Sequence, residues 1–149
     1  MLLREIMTSS VVTASPRTPV RQVAELMRDR NVGSVVLADQ DDRPVGIITD
    51  RDLAIGVLAG AGEPGDPAER CATSPVVTGE DDMPLEEAAA LMVSHRIRRL
   101  PVMDADRLVG IVTLDDIAVR TGNLEVAQQM TADVARAAFP DFYFHQRGG

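Results

Sequence analysis

Two stretches of the chain repeat one pattern of small, apolar, hydroxyl and carboxylate residues. Gly46-Ile47-Ile48-Thr49-Asp50-Arg51-Asp52 and Gly110-Ile111-Val112-Thr113-Leu114-Asp115-Asp116 each run Gly, two β-branched residues, Thr, two variable residues, Asp. A carboxylate at a helix start can accept hydrogen bonds from two vicinal hydroxyls, while the Thr hydroxyl and unpaired N–H groups hold a nearby phosphate or ribose oxygen. That chemistry suits a ribose. The same spacing also describes a capping box, with Thr49 or Thr113 as N-cap and Asp52 or Asp116 answering three residues on. One copy alone favours the cap. A cap would also accept Ser, Asn, Glu or Gln, so the reuse of Thr and Asp in both copies favours a ligand.

Catalytic groupings are scarce. Cys71 has no partner cysteine, which removes an intramolecular disulfide and any multi-Cys zinc site. The two histidines, His95 and His145, stand at no metal-ligand or nucleophile spacing. Ser94 and His95 are adjacent, so on a helix they point to different faces. Gly60-Ala61-Gly62-Glu63-Pro64-Gly65 spells a dinucleotide fingerprint, but that motif must follow a strand and open a helix, and here it follows a helix and runs into Pro67. The expectation is a protein that is not an enzyme and holds no metal or obligatory cofactor.

The elements that must position the two motifs are themselves repeated. Thr8-Ser9-Ser10-Val11-Val12-Thr13 aligns with Thr73-Ser74-Pro75-Val76-Val77-Thr78, and Arg43 to Thr49 aligns with Arg107 to Thr113 after a one-residue slip in the acidic turn. Each copy reads β-α-β-β-α. In the first, Val11 to Thr13 is a short strand, and Pro19 opens a helix with Val20, Val23, Ala24 and Met27 on one face. Ser34–Ala38 and Val45–Thr49 then form a hairpin, with a second helix over 50–58. The second copy repeats this with strand 76–78, a helix over 85–96, strands 100–103 and 108–113, and a helix over 115–120. The predicted class is α/β (α+β): repeats over 5–61 and 71–122, a linker over 62–70, and a helical, aromatic tail over 123–149. Neither three-stranded half can bury its sheet alone, so the copies are expected to pack together as a pseudo-two-fold pair.

These paired motifs, the Val-Val-Thr segments and Arg98-Arg99-Leu100-Pro101-Val102 resemble tandem CBS domains, and most of all short two-repeat actinobacterial members. The resemblance spans about Glu5 to Gly122 and implies two ligand clefts and pairing of modules into a homodimer. It implies that Asp52 and Asp116 take ribose, aided by Thr49 and Thr113. The backbone around Val12-Thr13 and Val77-Thr78 would lie along an adenine, with Arg98 and Arg99 near phosphate. The matching residues of the first copy, Gly33 and Ser34, carry no charge. Phosphate binding is therefore expected mainly in a cleft built by the second copy.

The 149 residues include 15 basic and 23 acidic side chains, a net charge of −8, and every basic residue is Arg. An acidic chain without a basic stripe is a poor nucleic-acid surface. No apolar run is long enough to span a bilayer and no signal peptide is evident, so a cytoplasmic protein is expected. In the tail, Leu124, Ala127, Met130, Val134, Ala137 and Ala138 recur at helical spacing, suggesting a docked amphipathic helix. Phe139, Phe142, Tyr143 and Phe144 follow, so an adenine in either repeat would rest on aliphatic walls. The leading expectation is a regulatory sensor of an adenosine-containing ligand of the AMP, ADP or ATP class. The alternative is a ligand-independent dimeric stress or scaffold protein.

Overall fold

The computed structural model describes residues 1–122 and 124–138. Two sheets of three strands carry the repeat. In the first, β1 (Thr13–Ala14) pairs in parallel with β2 (Ser34–Ala38), which pairs antiparallel with β3 (Pro44–Thr49). In the second, β4 (Gly79–Glu80), β5 (Arg99–Asp104) and β6 (Arg107–Thr113) repeat that order and those directions. The central strands are buried on both faces, so Val35, Val36 and Leu37, like Leu100 to Met103, form continuous apolar runs.

Helix α2 (Val20–Arg30) buries Val20, Val23 and Met27 and stops where Asn31 turns left-handed at φ 53°. Asn adopts that conformation more readily than most residues. Helix α4 (Leu85–Ser94) buries Ala88 and Met92. It ends two residues before the predicted Arg96, which itself sits at φ 57° and turns the chain into β5. Helix α3 (Asp50–Leu53) passes directly into a wider π-turn over Ala54–Leu58, so the predicted single helix is two local forms. Its counterpart α5 (Leu114–Arg120) is α-helical throughout.

The largest departure from expectation lies in the segments that precede each repeat. Helix α1 (Leu3–Ile6) places Leu3 and Ile6 in the core of the second repeat, with Met92, Leu100 and Val112. Ala68, placed by the sequence in a linker, is buried in the core of the first repeat with Val23 and Leu37. Thr8 exchanges backbone hydrogen bonds with Ile111 on β6 (2.9 and 3.0 Å), and Thr73 makes the same exchange with Ile47 on β3 (2.9 and 3.1 Å). Each lead-in segment is thus laced to the opposite repeat before crossing to its own sheet. Residues 11–12 and 76–78 make that crossing, so ladder pairing starts later than predicted, at Thr13 and Gly79.

Gly110 makes the first lacing possible. A Cβ there would collide with Met7 Sδ and stand 3.1 Å from Thr8 O, which is backbone and cannot swing away. At the matching Gly46, the nearest atom to such a Cβ is Ala72 Cβ at 3.4 Å, an ordinary contact. Gly110→Ala is expected to cost about 1–3 kcal/mol by overpacking, and Gly46→Ala less than about 1 kcal/mol. Parallel urea melts of the two variants check the difference.

The tail helix α6 (Leu124–Ala138) packs on α4 and α5, burying Met130 and Val134 in the second core. Leu124, expected on the buried stripe, is 62% exposed at the first residue of α6. The four aromatic residues lie outside the described residues. No helix among the described residues is long and apolar enough to cross a membrane.

Candidate functional site

The crossing of residues 8–13 from β6 to β2 roofs a cleft between the repeats. Its volume is about 300 Å³, and its lining comes from both copies. Ser10, Val11, Val12, Gly33, Ser34 and Val36 belong to the first repeat, while Arg99, Ile111, Thr113 and Asp116 belong to the second. The sequence reading expects two clefts between the repeats, one built on Asp116 and one on Asp52. The lacing of Thr8 onto Ile111 carries the first repeat's lead-in across the second repeat's motif, so the cleft at Asp116 takes its lining from both copies.

Thr113 and Asp116 form a complete capping box. Thr113 N donates to Asp116 Oδ2 at 2.9 Å, and Asp116 N donates to Thr113 Oγ1 at 3.1 Å. The cap and ligand readings are compatible, because the box engages Oδ2 while Oδ1 faces other partners. Thr8 Oγ1 donates to Oδ1 at 3.4 Å, and Arg120 Nε lies 3.6 Å from it. Arg120 also donates to Met7 O at 3.0 Å, which ties the lead-in to α5. The Asp116 side chain is only 16% exposed, so its carboxylate is oriented rather than solvated freely. Thr8 and Arg120 were missed as site residues. Thr8 was legible as a repeated residue and Arg120 as an i,i+4 partner of Asp116.

Asp52 repeats the box with Thr49, through bonds of 2.8 and 3.2 Å, but lies in a different setting. Gly56 stands where Arg120 stands in the second repeat, so no guanidinium reaches Asp52 from that position. Asp52 instead borders a separate cavity of about 430 Å³ with Gly56, Asp66, Arg70 and Cys71.

The remaining predicted residues are dispersed. Arg98 lies outside the cleft, in a small cavity shared with Leu114, Asp115 and Thr131 of α6, while Arg99 borders both spaces. Thr13 borders an open groove with Arg17 and Asp39. Val77 packs on the second core and Thr78 is half-buried. His95 caps α4, its Nδ1 3.0 Å from Leu91 O and 3.1 Å from Ser94 Oγ, so the adjacent pair does meet, because His95 has left helical geometry. Among the described residues no three His, Cys, Asp or Glu side chains gather as a metal site.

The sequence profile of the CBS domain matches residues 3–58 and 68–120. The chain is 44% identical to the uncharacterized protein MK0525 of Methanopyrus kandleri over 76% of its own length, and spans 59% of that protein. It is 34% identical to hypoxic response protein 1 of Mycobacterium tuberculosis, covering 77% of this chain and 81% of the relative. The crystal structure of that protein, with two coordinated zinc ions, superposes with a TM-score of 0.72 at 33% identity over 79% of this chain and 97% of the other. PAE2072 of Pyrobaculum aerophilum, complexed with AMP, gives 0.74 at 29% identity, covering 86% and 99% of the two chains. The CBS pair of MJ0100, in complex with 5′-methylthioadenosine and S-adenosyl-L-methionine, gives 0.73 at 30% identity, covering 83% and 98%. With both copies matched in sequence and both three-stranded sheets matched in space, the chain belongs to the CBS-domain family, as a tandem pair.

Proposed function

We propose that the protein is a non-enzymatic regulatory module that binds an adenosine-containing ligand in the cleft between its repeats. The observation that carries this reading is the convergence of Thr113, Asp116 and Arg99 with the backbone of residues 10–12 and 33–34 around one space. Val11, Val12, Val32, Val36 and Ile111 provide aliphatic walls for a purine. The crossing backbone presents polar groups to its edge, Asp116 Oδ1 accepts from ribose, and Arg99 meets a phosphate. Related CBS pairs solved with AMP or with methylthioadenosine and S-adenosyl-L-methionine support the ligand class. Binding acts on a partner only through a difference in affinity between two states, which in a two-repeat module means a change in how the repeats, or paired modules, sit.

Homodimerisation is part of this proposal. Ile55 and Val119 occupy matching positions in the two repeats and are 56% and 81% exposed, and Leu58 is 87% exposed. Exposed apolar side chains at matching positions of both copies suit a two-fold partner. We assign the protein to the cytoplasm on the same reading.

A specific observation favours the second reading, a ligand-independent scaffold: both Thr–Asp pairs are complete capping boxes, so each pair has a structural role of its own. Melting with adenosine, AMP, ADP, ATP, NAD and S-adenosylmethionine separates the two. A ligand at about 100 times its Kd should stabilise the fold by about 2.7 kcal/mol, which is a rise of about 5–11 °C. No shift with any of them at millimolar concentration favours the scaffold.

A further inference from the structure

Gly33 lines the cleft at the edge where Arg99 enters. The point where its Cβ would stand is 3.4 Å from Asp50 Oδ2 and 3.5 Å from Arg99 Nη2, so an anion and a cation flank the same spot. Asp50 is held there: its N–H donates to Gly33 O at 3.0 Å, and its Oδ1 accepts from Arg51 N at 2.9 Å. Among the described residues no Arg forms an ion pair with Asp50 within 4.0 Å. Arg98 lies in the cavity beside α6, and Arg120 is engaged with Asp116 and Met7 O. The matching residue of the second repeat is the apolar Leu114, so this negative charge belongs to one cleft only.

We propose that Asp50 is a specificity-determining residue that makes this cleft accept an adenosine monophosphate and disfavour a polyphosphate. The proposal rests on the adenosine reading above. A single phosphate can pair with Arg99, whose charge it neutralises. A second or third phosphate carried past Arg99 on the Gly33 side meets the Asp50 carboxylate, where like charges repel. Discrimination by repulsion of the wrong ligand is an efficient route to specificity when the attractive contacts are shared.

The test is calorimetric titration of the full chain and of its variants with adenosine, AMP and ATP. Wild type should bind AMP about tenfold or more tightly than ATP. Asp50→Asn should narrow that ratio by at least about fivefold and leave adenosine unchanged, and the difference should shrink as salt rises. Asp50→Glu, which restores the charge, should restore discrimination. Arg99→Ala should weaken AMP by about tenfold and adenosine by less than about twofold. If ligands bind but Asp50→Asn leaves the AMP to ATP ratio where it was, or if wild type binds ATP as well as AMP, Asp50 does not select and the proposal fails alone. If none of the three binds, the adenosine reading fails and takes the proposal with it.

Discussion

A chain ending at Asn123 is expected to lose about 3–6 kcal/mol of folding stability, since Met130 and Val134 each contribute about 1.5–3 kcal/mol by burial. Both are at least 95% buried in the second core, where α6 covers α4 and α5. Removing the helix uncovers the apolar surface around Ile117 and Met92 as well, so an apolar dye should bind the shortened chain. Its melting temperature should fall by about 6–24 °C. The variant Val134→Asp, which keeps residues 139–149 attached, separates loss of helix docking from loss of the tail. It should destabilise strongly through a buried, unpaired charge. Melting of both forms at the wild-type temperature would mean that α6 is an appendage and that the second core is complete without it.

Asp116→Asn should weaken AMP binding by about 10–100-fold, the equivalent of about 1.5–3 kcal/mol for a hydrogen bond to a charged group. Asn keeps an oxygen to accept from Thr113 N, so the box largely survives and stability should change by less than about 1 kcal/mol. It loses the charge and the second acceptor that face Thr8 and Arg120, and with them the ability to accept from two ribose hydroxyls. Asp52→Asn should have a smaller effect, because no guanidinium stands at the Gly56 position to orient Asp52. Calorimetry with AMP, alongside urea melts, reads both quantities. An Asp116→Asn affinity within about twofold of wild type would leave Asp116 as a helix cap and the scaffold reading as the better one.

Much of the fold is legible locally. The apolar faces of α2 and α4, the apolar central strands and the Thr–Asp boxes all depend on residues within four positions of each other, where backbone geometry alone decides which side chains meet. The duplication is equally legible, and with it the expectation that the two copies pack on each other, although each sheet keeps a core of its own. The ends of the elements were less so. Helix α4 stops at Ser94 because Arg96 turns left-handed, and nothing in its residue type demands that.

What only tertiary structure decided is the composition of the cleft. Thr8 reaches Asp116 across 108 positions of sequence because residues 3–6 are drawn into the second repeat's core, not the first's. Periodicity shows that Leu3 and Ile6 want burial, but either repeat would satisfy that want. The choice falls to the second, where Thr8 pairs with Ile111 on β6 and Gly110 leaves room for Met7, while the matching Ile47 and Gly46 of β3 are taken by Thr73 and Ala72. Once that lacing is made, the crossing segment joins Val12, Gly33 and Ser34 to Thr113, Asp116 and Arg99, and sends Arg98 to a different cavity. Burial is nearly indifferent to which apolar surface supplies it, whereas backbone pairing and close approach at one glycine are not, and those two set which residues share the site.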